Sequence, residues 1–161
     1  MATRHTYYEI LSCIQSMLRR RNQGYGSSAL NPLRVFSSAP PNEQICVRID
    51  DKLSRLMRGD ESDGEMRVET VGDLIGYLAF WLAFDRAEGT PDLDAVIWEV
   101  LTLPFHTPDA EQDLKYIIQG AIDGVVDVSY LILDLAQWMA EQPEVDGWGR
   151  KWGGYDAKAT D

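Results

Sequence analysis

The stretch Glu69-Thr70-Val71-Gly72-Asp73-Leu74-Ile75-Gly76-Tyr77-Leu78-Ala79-Phe80-Trp81-Leu82-Ala83-Phe84 decides the fold. Val71, Leu74, Ile75, Leu78 and Leu82 recur at helical spacing. From Leu74 to Phe84 the apolar run is unbroken for 11 residues and is bracketed by Asp73 and Asp85. A membrane-spanning helix needs about 20 such residues, so the stretch reads as a helix buried in a protein core.

Upstream, Tyr7, Ile10, Leu11, Ile14, Met17 and Leu18 line one face of a first helix, and Arg19, Arg20 and Arg21 follow where cations suit a helix C-terminus. Residues 22–42, NQGYGSSALNPLRVFSSAPPN, form a long Gly-, Ser- and Pro-rich loop, of a length that is usually functional or disordered. A second helix is expected from Asn42 as N-cap to about Arg58, with Ile45, Ile49, Leu53 and Leu56 inward and a charged outer face. The acidic linker GDESDGE, 59–65, leads into the buried helix.

Downstream, Thr90-Pro91 opens a fourth helix through Leu93, Ile97 and Val100, ending near Pro104. Thr107 or Asp109 begins a long fifth helix reaching roughly Gln142, with a kink expected near Gly120 and Gly124. The ending DGWGRKWGGYDAKATD has no core pattern and reads as an appendage. No β-period alternation is sustained. The expected architecture is an all-α bundle of about five helices in a single domain, 1–142, comprising a core over 7–84 and an added helical pair over 91–142, with a Gly/Trp-rich tail at 143–161.

Composition narrows the function. A chain of 161 residues is long enough to bury a core without a disulfide or zinc staple. Cys13, Cys46, His5 and His106 are its only cysteines and histidines, and their spacing builds no zinc motif. The polar start MATRHTYYEI is read as carrying no secretory leader, so the expected compartment is the cytoplasm. A net charge of -11 repels duplex phosphate, which argues against a nucleic-acid coat, and the short apolar run argues against a membrane partner. A small anion would need local cations or a metal. The apolar third and fifth helices suggest a homo-oligomer, a dimer or higher.

Chemistry is expected where charge interrupts those two helices. Glu69 and Asp73 on the third, and Asp123 and Asp127 on the fifth, each read acid-x-x-x-acid ahead of an apolar run containing a tyrosine. Like charges four apart on a helix lie roughly 5–6 Å from one another and repel. Magnesium relieves that repulsion with oxygen ligands from one or two carboxylates, phosphates and water. The plainer alternative is that acids gather near a helix N-terminus because the macrodipole favours them. On the second helix Arg48, Lys52 and Arg55 share a face beside Asp51, and suit phosphate; the alternative there is a solvated face with Asp51 and Arg55 paired.

Taken in order, Tyr25-Gly26, Ser27-Ser28-Ala29-Leu30-Asn31-Pro32-Leu33-Arg34-Val35-Phe36, Ile49-Asp50-Asp51-Lys52-Leu53-Ser54-Arg55-Leu56 and Asp73-Leu74-Ile75-Gly76-Tyr77-Leu78 resemble small bacteriophage proteins of the nucleotide-modification-associated type. The resemblance covers about residues 7–84. It implies an all-α unit related to the MazG-like nucleotide pyrophosphohydrolases, working in the host cytoplasm on the nucleotide pool. Asp123 to Leu133 is similar to the metal-binding helix of those enzymes. The EExxE helix that usually precedes it is missing here, and Thr70 stands where an ExxD pattern wants glutamate.

The resemblance implies Mg²⁺ (or Mn²⁺) held by Glu69 and Asp73, with Asp51, activating water to split a ribo- or deoxyribonucleoside triphosphate into monophosphate and pyrophosphate. Asp123 and Asp127 would form the second metal pair. Lys52, Arg55 and Arg34 would take the phosphates, Tyr25 or a tryptophan would stack the base, and Asn31 would hydrogen-bond it unless it is simply a turn residue before Pro32. The departures bear on catalysis more than on binding. Two alternatives therefore stay open: a protein that sequesters a nucleotide or signal without turnover, and an acidic interaction module using Trp148 and Trp152.

Overall fold

The computed structural model describes residues 5–24, 28–103, 113–124 and 127–152. Among the described residues the chain is all-helical, with seven helices: α1 Tyr7–Gly24, α2 Pro41–Arg58, α3 Gly64–Arg86, α4 Leu93–Leu101, α5 Leu114–Ile122, α6 Val128–Ala140 and α7 Val145–Trp152. No helix of the described residues is long and apolar enough to cross a membrane.

α3 is the axis of the bundle. Its buried residues run around the helix, from Val68 and Val71 through Leu74, Ile75, Leu78, Ala79 and Phe80 to Leu82 and Ala83, as a helix surrounded by others requires. It packs on α2, α6, α4, α7 and α1. Α1 brings Ile10, Leu11, Ile14 and Met17, all fully buried, against α6, α4, α7 and α3, and α6 contributes Ile132, Leu135 and Met139. Each such Leu or Ile contributes about 1.5–3 kcal/mol, whereas an exposed ion pair such as Arg19–Asp94 contributes under about 1 kcal/mol. The fold thus rests on its apolar faces.

Helix starts follow local chemistry. Asp63 accepts a hydrogen bond from Met66 N at 2.9 Å to cap α3, Asp92 accepts from Ala95 N at 3.1 Å to cap α4, and Asp127 accepts from Ser129 N at 3.0 Å to cap α6. The expected N-cap of α2, Asn42, lies inside the helix instead: the N-cap is Pro40, which makes no side-chain cap, and Pro41 opens the first turn, where a fixed φ and a missing N–H cost nothing.

Two further expectations are corrected. The single long helix reaching Gln142 is two helices, because Gly124 adopts a φ of 70° after the C-cap of α5 and its N–H bonds back to the Ala121 carbonyl at 3.1 Å. The expected kink at Gly124 is a full break, whereas Gly120 stays helical. The expected starts of that helix, Thr107 and Asp109, lie outside the described residues. The second correction concerns the Gly/Trp segment, which is no appendage over its described part. Val145 and Trp148 of α7 are buried against the bundle, and α7 packs on α1 and α3. The count of about five helices thereby becomes seven.

Candidate functional site

Asp73 is where three helices meet through charge. Its side chain on α3 is only 19% exposed; Oδ1 accepts from Arg21 Nη1 of α1 at 2.8 Å, and Oδ2 lies 3.3 Å from Lys52 Nζ of α2. The lysine side chain is 13% exposed. Two cations around one carboxylate leave an uncompensated positive charge in a partly desolvated place, where charge-assisted hydrogen bonds are strong.

The other expected site acids face elsewhere. Glu69, one turn before Asp73, bonds Lys151 Nζ of α7 at 2.9 Å. Asp51 pairs with Arg55 at 3.1 Å on the exposed face of α2, the plainer of the two arrangements anticipated there. Asp123 and Asp127 flank the break between α5 and α6 instead of sharing one helix face: Asp123 accepts from Gln119 Nε2 at 2.9 Å, and Asp127 is the cap of α6.

A magnesium ion needs carboxylate oxygens turned toward a common point with lone pairs to spare. Here both oxygens of Asp73 are engaged by cations, Glu69 and Asp51 each serve a different cation, and Asp127 serves its helix. As arranged, this donor set does not fit the metal. Among the described residues no group of three or more His, Cys, Asp or Glu is disposed to hold one.

What the fold does build beside Asp73 is a cleft of about 490 Å³ between α1, α2, α3 and the loop at 28–33. Met17, Leu18, Ile45, Gly76 and Phe80 make its apolar wall, and Arg21, Asn22, Gln44, Arg48, Asp73 and Tyr77 its polar points. Gly76 helps to shape that wall, since a Cβ there would stand 3.1 Å from Leu18 Cδ2. Gln44 is fixed by donating to the Ala39 carbonyl at 2.9 Å. The Asn22 Oδ1 atom is buried with no donor among the described residues, a condition that native proteins generally avoid.

Of the residues expected to bind substrate, Lys52 is not on the cleft lining and instead pairs with Asp73. Arg55 points its charge to the outer Asp51. Asn31 and Arg34 are exposed on the loop whose neighbours Pro32 and Leu33 line the cleft. Tyr25 lies outside the described residues. Arg21, Asn22, Gln44 and Tyr77 were not among the expected binding residues. A signal for Arg21 was present: it stands four residues after Met17 and seven after Ile14, on the buried stripe itself.

Titration behaviour marks two other places. Burial, then the nearby Glu43 charge, pushes the Cys46 thiol up, which favours its protonated form. Hydrogen bonds from Gln15 and then Arg19 hold the Asp94 carboxyl below the usual carboxylate range, at the α1–α4 junction. Comparisons with protein-family models, curated proteins and solved structures return no match to this chain.

Proposed function

We propose that this chain binds a small anionic ligand of the nucleotide class in the cleft between α1, α2 and α3, and holds it without hydrolysis. The observation that carries this reading is the presence of Arg21 and Arg48 on the lining of one apolar-walled cavity of about 490 Å³, in a protein whose net charge is -11. The volume falls in the range of roughly 300–1,000 Å³ usual for small-molecule sites.

Guanidinium groups offer paired donors that match phosphate oxygens. The aromatic ring of Tyr77 and the apolar wall suit a base, and the amides of Asn22 and Gln44 supply donors and acceptors for its edge. Binding is preferred over pyrophosphate release because the carboxylates that hydrolysis would call on, Glu69, Asp73 and Asp51, are already neutralised by Lys151, by Arg21 with Lys52, and by Arg55. Loading Mg²⁺ or Mn²⁺ would first have to strip those cations away.

Calorimetric titration with ribo- and deoxyribonucleoside mono-, di- and triphosphates tests the reading. Saturable binding of one of them, with no phosphate or pyrophosphate released in the presence of Mg²⁺, is the expected result. Arg48→Ala should weaken that binding roughly ten- to a hundredfold, the loss of one charge-assisted contact. Multiple turnovers of pyrophosphate release would overturn it in favour of the hydrolase, and failure to bind any nucleotide would overturn both.

A further inference from the structure

We propose that α7 is a clamp on the cleft, in which Trp152 is a positioning residue that holds the Arg21 guanidinium ready for the anion; the inference rests on the binding reading above. Arg21 lies in the last turn of α1, partly exposed, on a long side chain with many rotamers. Two contacts reduce that freedom. Asp73 Oδ1 takes one Nη at 2.8 Å, and the Trp152 ring covers the guanidinium with its centroid 4.5 Å from Cζ. The first fixes one edge and the second fixes the plane, which leaves the remaining donors directed by geometry and not by chance.

Trp152 is placed there by the docking of α7 as a whole. Trp148, one turn earlier, packs on Gly72, the residue next to Asp73. Lys151 bonds Glu69 at 2.9 Å and lies 5.3 Å from the Trp152 centroid. The Gly149 carbonyl accepts from Cys13 Sγ at 3.9 Å, which ties the same helix to α1. The Trp152 indole Nε1 has no acceptor among the described residues, so its ring contacts account for its orientation.

The consequence is linkage. An anion on the free edge of Arg21 adds to the stack on its face, so a docked α7 favours the ligand and the ligand favours a docked α7 by the same factor. Alignment of a group before binding raises affinity by removing the ordering cost from the binding step. A purely architectural α7 would stabilise the bundle and leave affinity alone.

The test uses the full chain and inorganic pyrophosphate, which presents the charge without a base. Trp152→Ala should weaken pyrophosphate binding about three- to tenfold, the worth of one cation–π contact, and Trp152→Phe should restore most of it. The double variant Arg21→Lys, Trp152→Ala should bind no worse than Arg21→Lys alone, because the tryptophan acts through the arginine. In the wild type, pyrophosphate should slow amide exchange across residues 145–152. Equal binding by wild type and Trp152→Ala, or additive losses in the double variant, would overturn the clamp while leaving the cleft reading intact. A wild type that takes up neither pyrophosphate nor any nucleotide removes the cleft reading, and the clamp with it.

Discussion

Trp148 rests so closely on Gly72 that a Cβ at the glycine would stand 2.9 Å from the indole ring. The helix carrying the tryptophan can reach α3 because that one side chain is missing. Gly72→Ala forces the buried ring or the helix to shift, and overpacking of this kind costs about 1–3 kcal/mol. A melting temperature lower by about 3–10 °C is expected for a chain of this length. Gly147→Ala is the control: nothing lies within 4 Å of a Cβ there, and it sits inside α7. It should raise stability by about 0.5–1 kcal/mol. Thermal melts that rank the two variants the other way would show that α7 is not seated on Gly72.

The same contact shows what a sequence can and cannot disclose. The stripes of α1 and α2 and the unbroken run of α3 were legible because burial on one face, or on all faces, writes itself as periodicity. The break at Gly124 was half legible: glycine marks a weak point, but whether the backbone bends or takes φ 70° is settled by how α5 and α6 pack, not by the residue. Α7 was missed because its apolar residues are few and set among glycines, and its partner surface lies on α1 and α3, far away in the chain. The local partner of Asp51, Arg55 four residues on, was legible, but the distant partners of Asp73 and Glu69 were not. Asp73 is separated from Arg21 by 52 positions and Glu69 from Lys151 by 82, so spacing along one helix could suggest a repelling pair and could not reveal that each acid already had a cation.

Asp94 gives the chain a small acid-sensitive joint. Gln15 Nε2 donates to it at 2.9 Å and Arg19 Nη2 at 3.1 Å, and both depress its folded-state pKa. A depressed carboxyl contributes stability that is present above the unfolded value of about 3.9 and disappears as pH falls through the lower folded value. The side chain is 56% exposed, so solvent screens the effect to under about 1 kcal/mol. Urea titrations should therefore find Asp94→Asn less stable than wild type at pH 7 by that margin, with the gap shrinking below about pH 4. A gap that stays constant down to pH 3 would assign the loss to something other than the charge.

Asp73→Asn separates binding from hydrolysis, since the two readings assign opposite duties to the same carboxylate. If Asp73 served as a metal ligand, its removal would abolish turnover and weaken retention of a metal-bound nucleotide. In the cleft as folded, Asp73 instead both aligns Arg21 and offsets its charge; Asp73→Asn keeps an amide oxygen to accept from Arg21, so the alignment stays while the competing negative charge is removed. Its neutralisation leaves two cations facing each other in a partly buried place, at a cost of about 1–3 kcal/mol in the free protein. The same change raises the positive potential that an incoming phosphate meets. The expected outcome is a protein that melts earlier when empty, binds the nucleotide or pyrophosphate more tightly by up to about tenfold, and regains more stability from saturating ligand than wild type does. Calorimetry and ligand-shifted melts on the same preparation measure all three. Weaker binding by Asp73→Asn than by wild type would mean that the carboxylate faces the ligand, through a metal or directly, and the non-hydrolytic reading would have to give way.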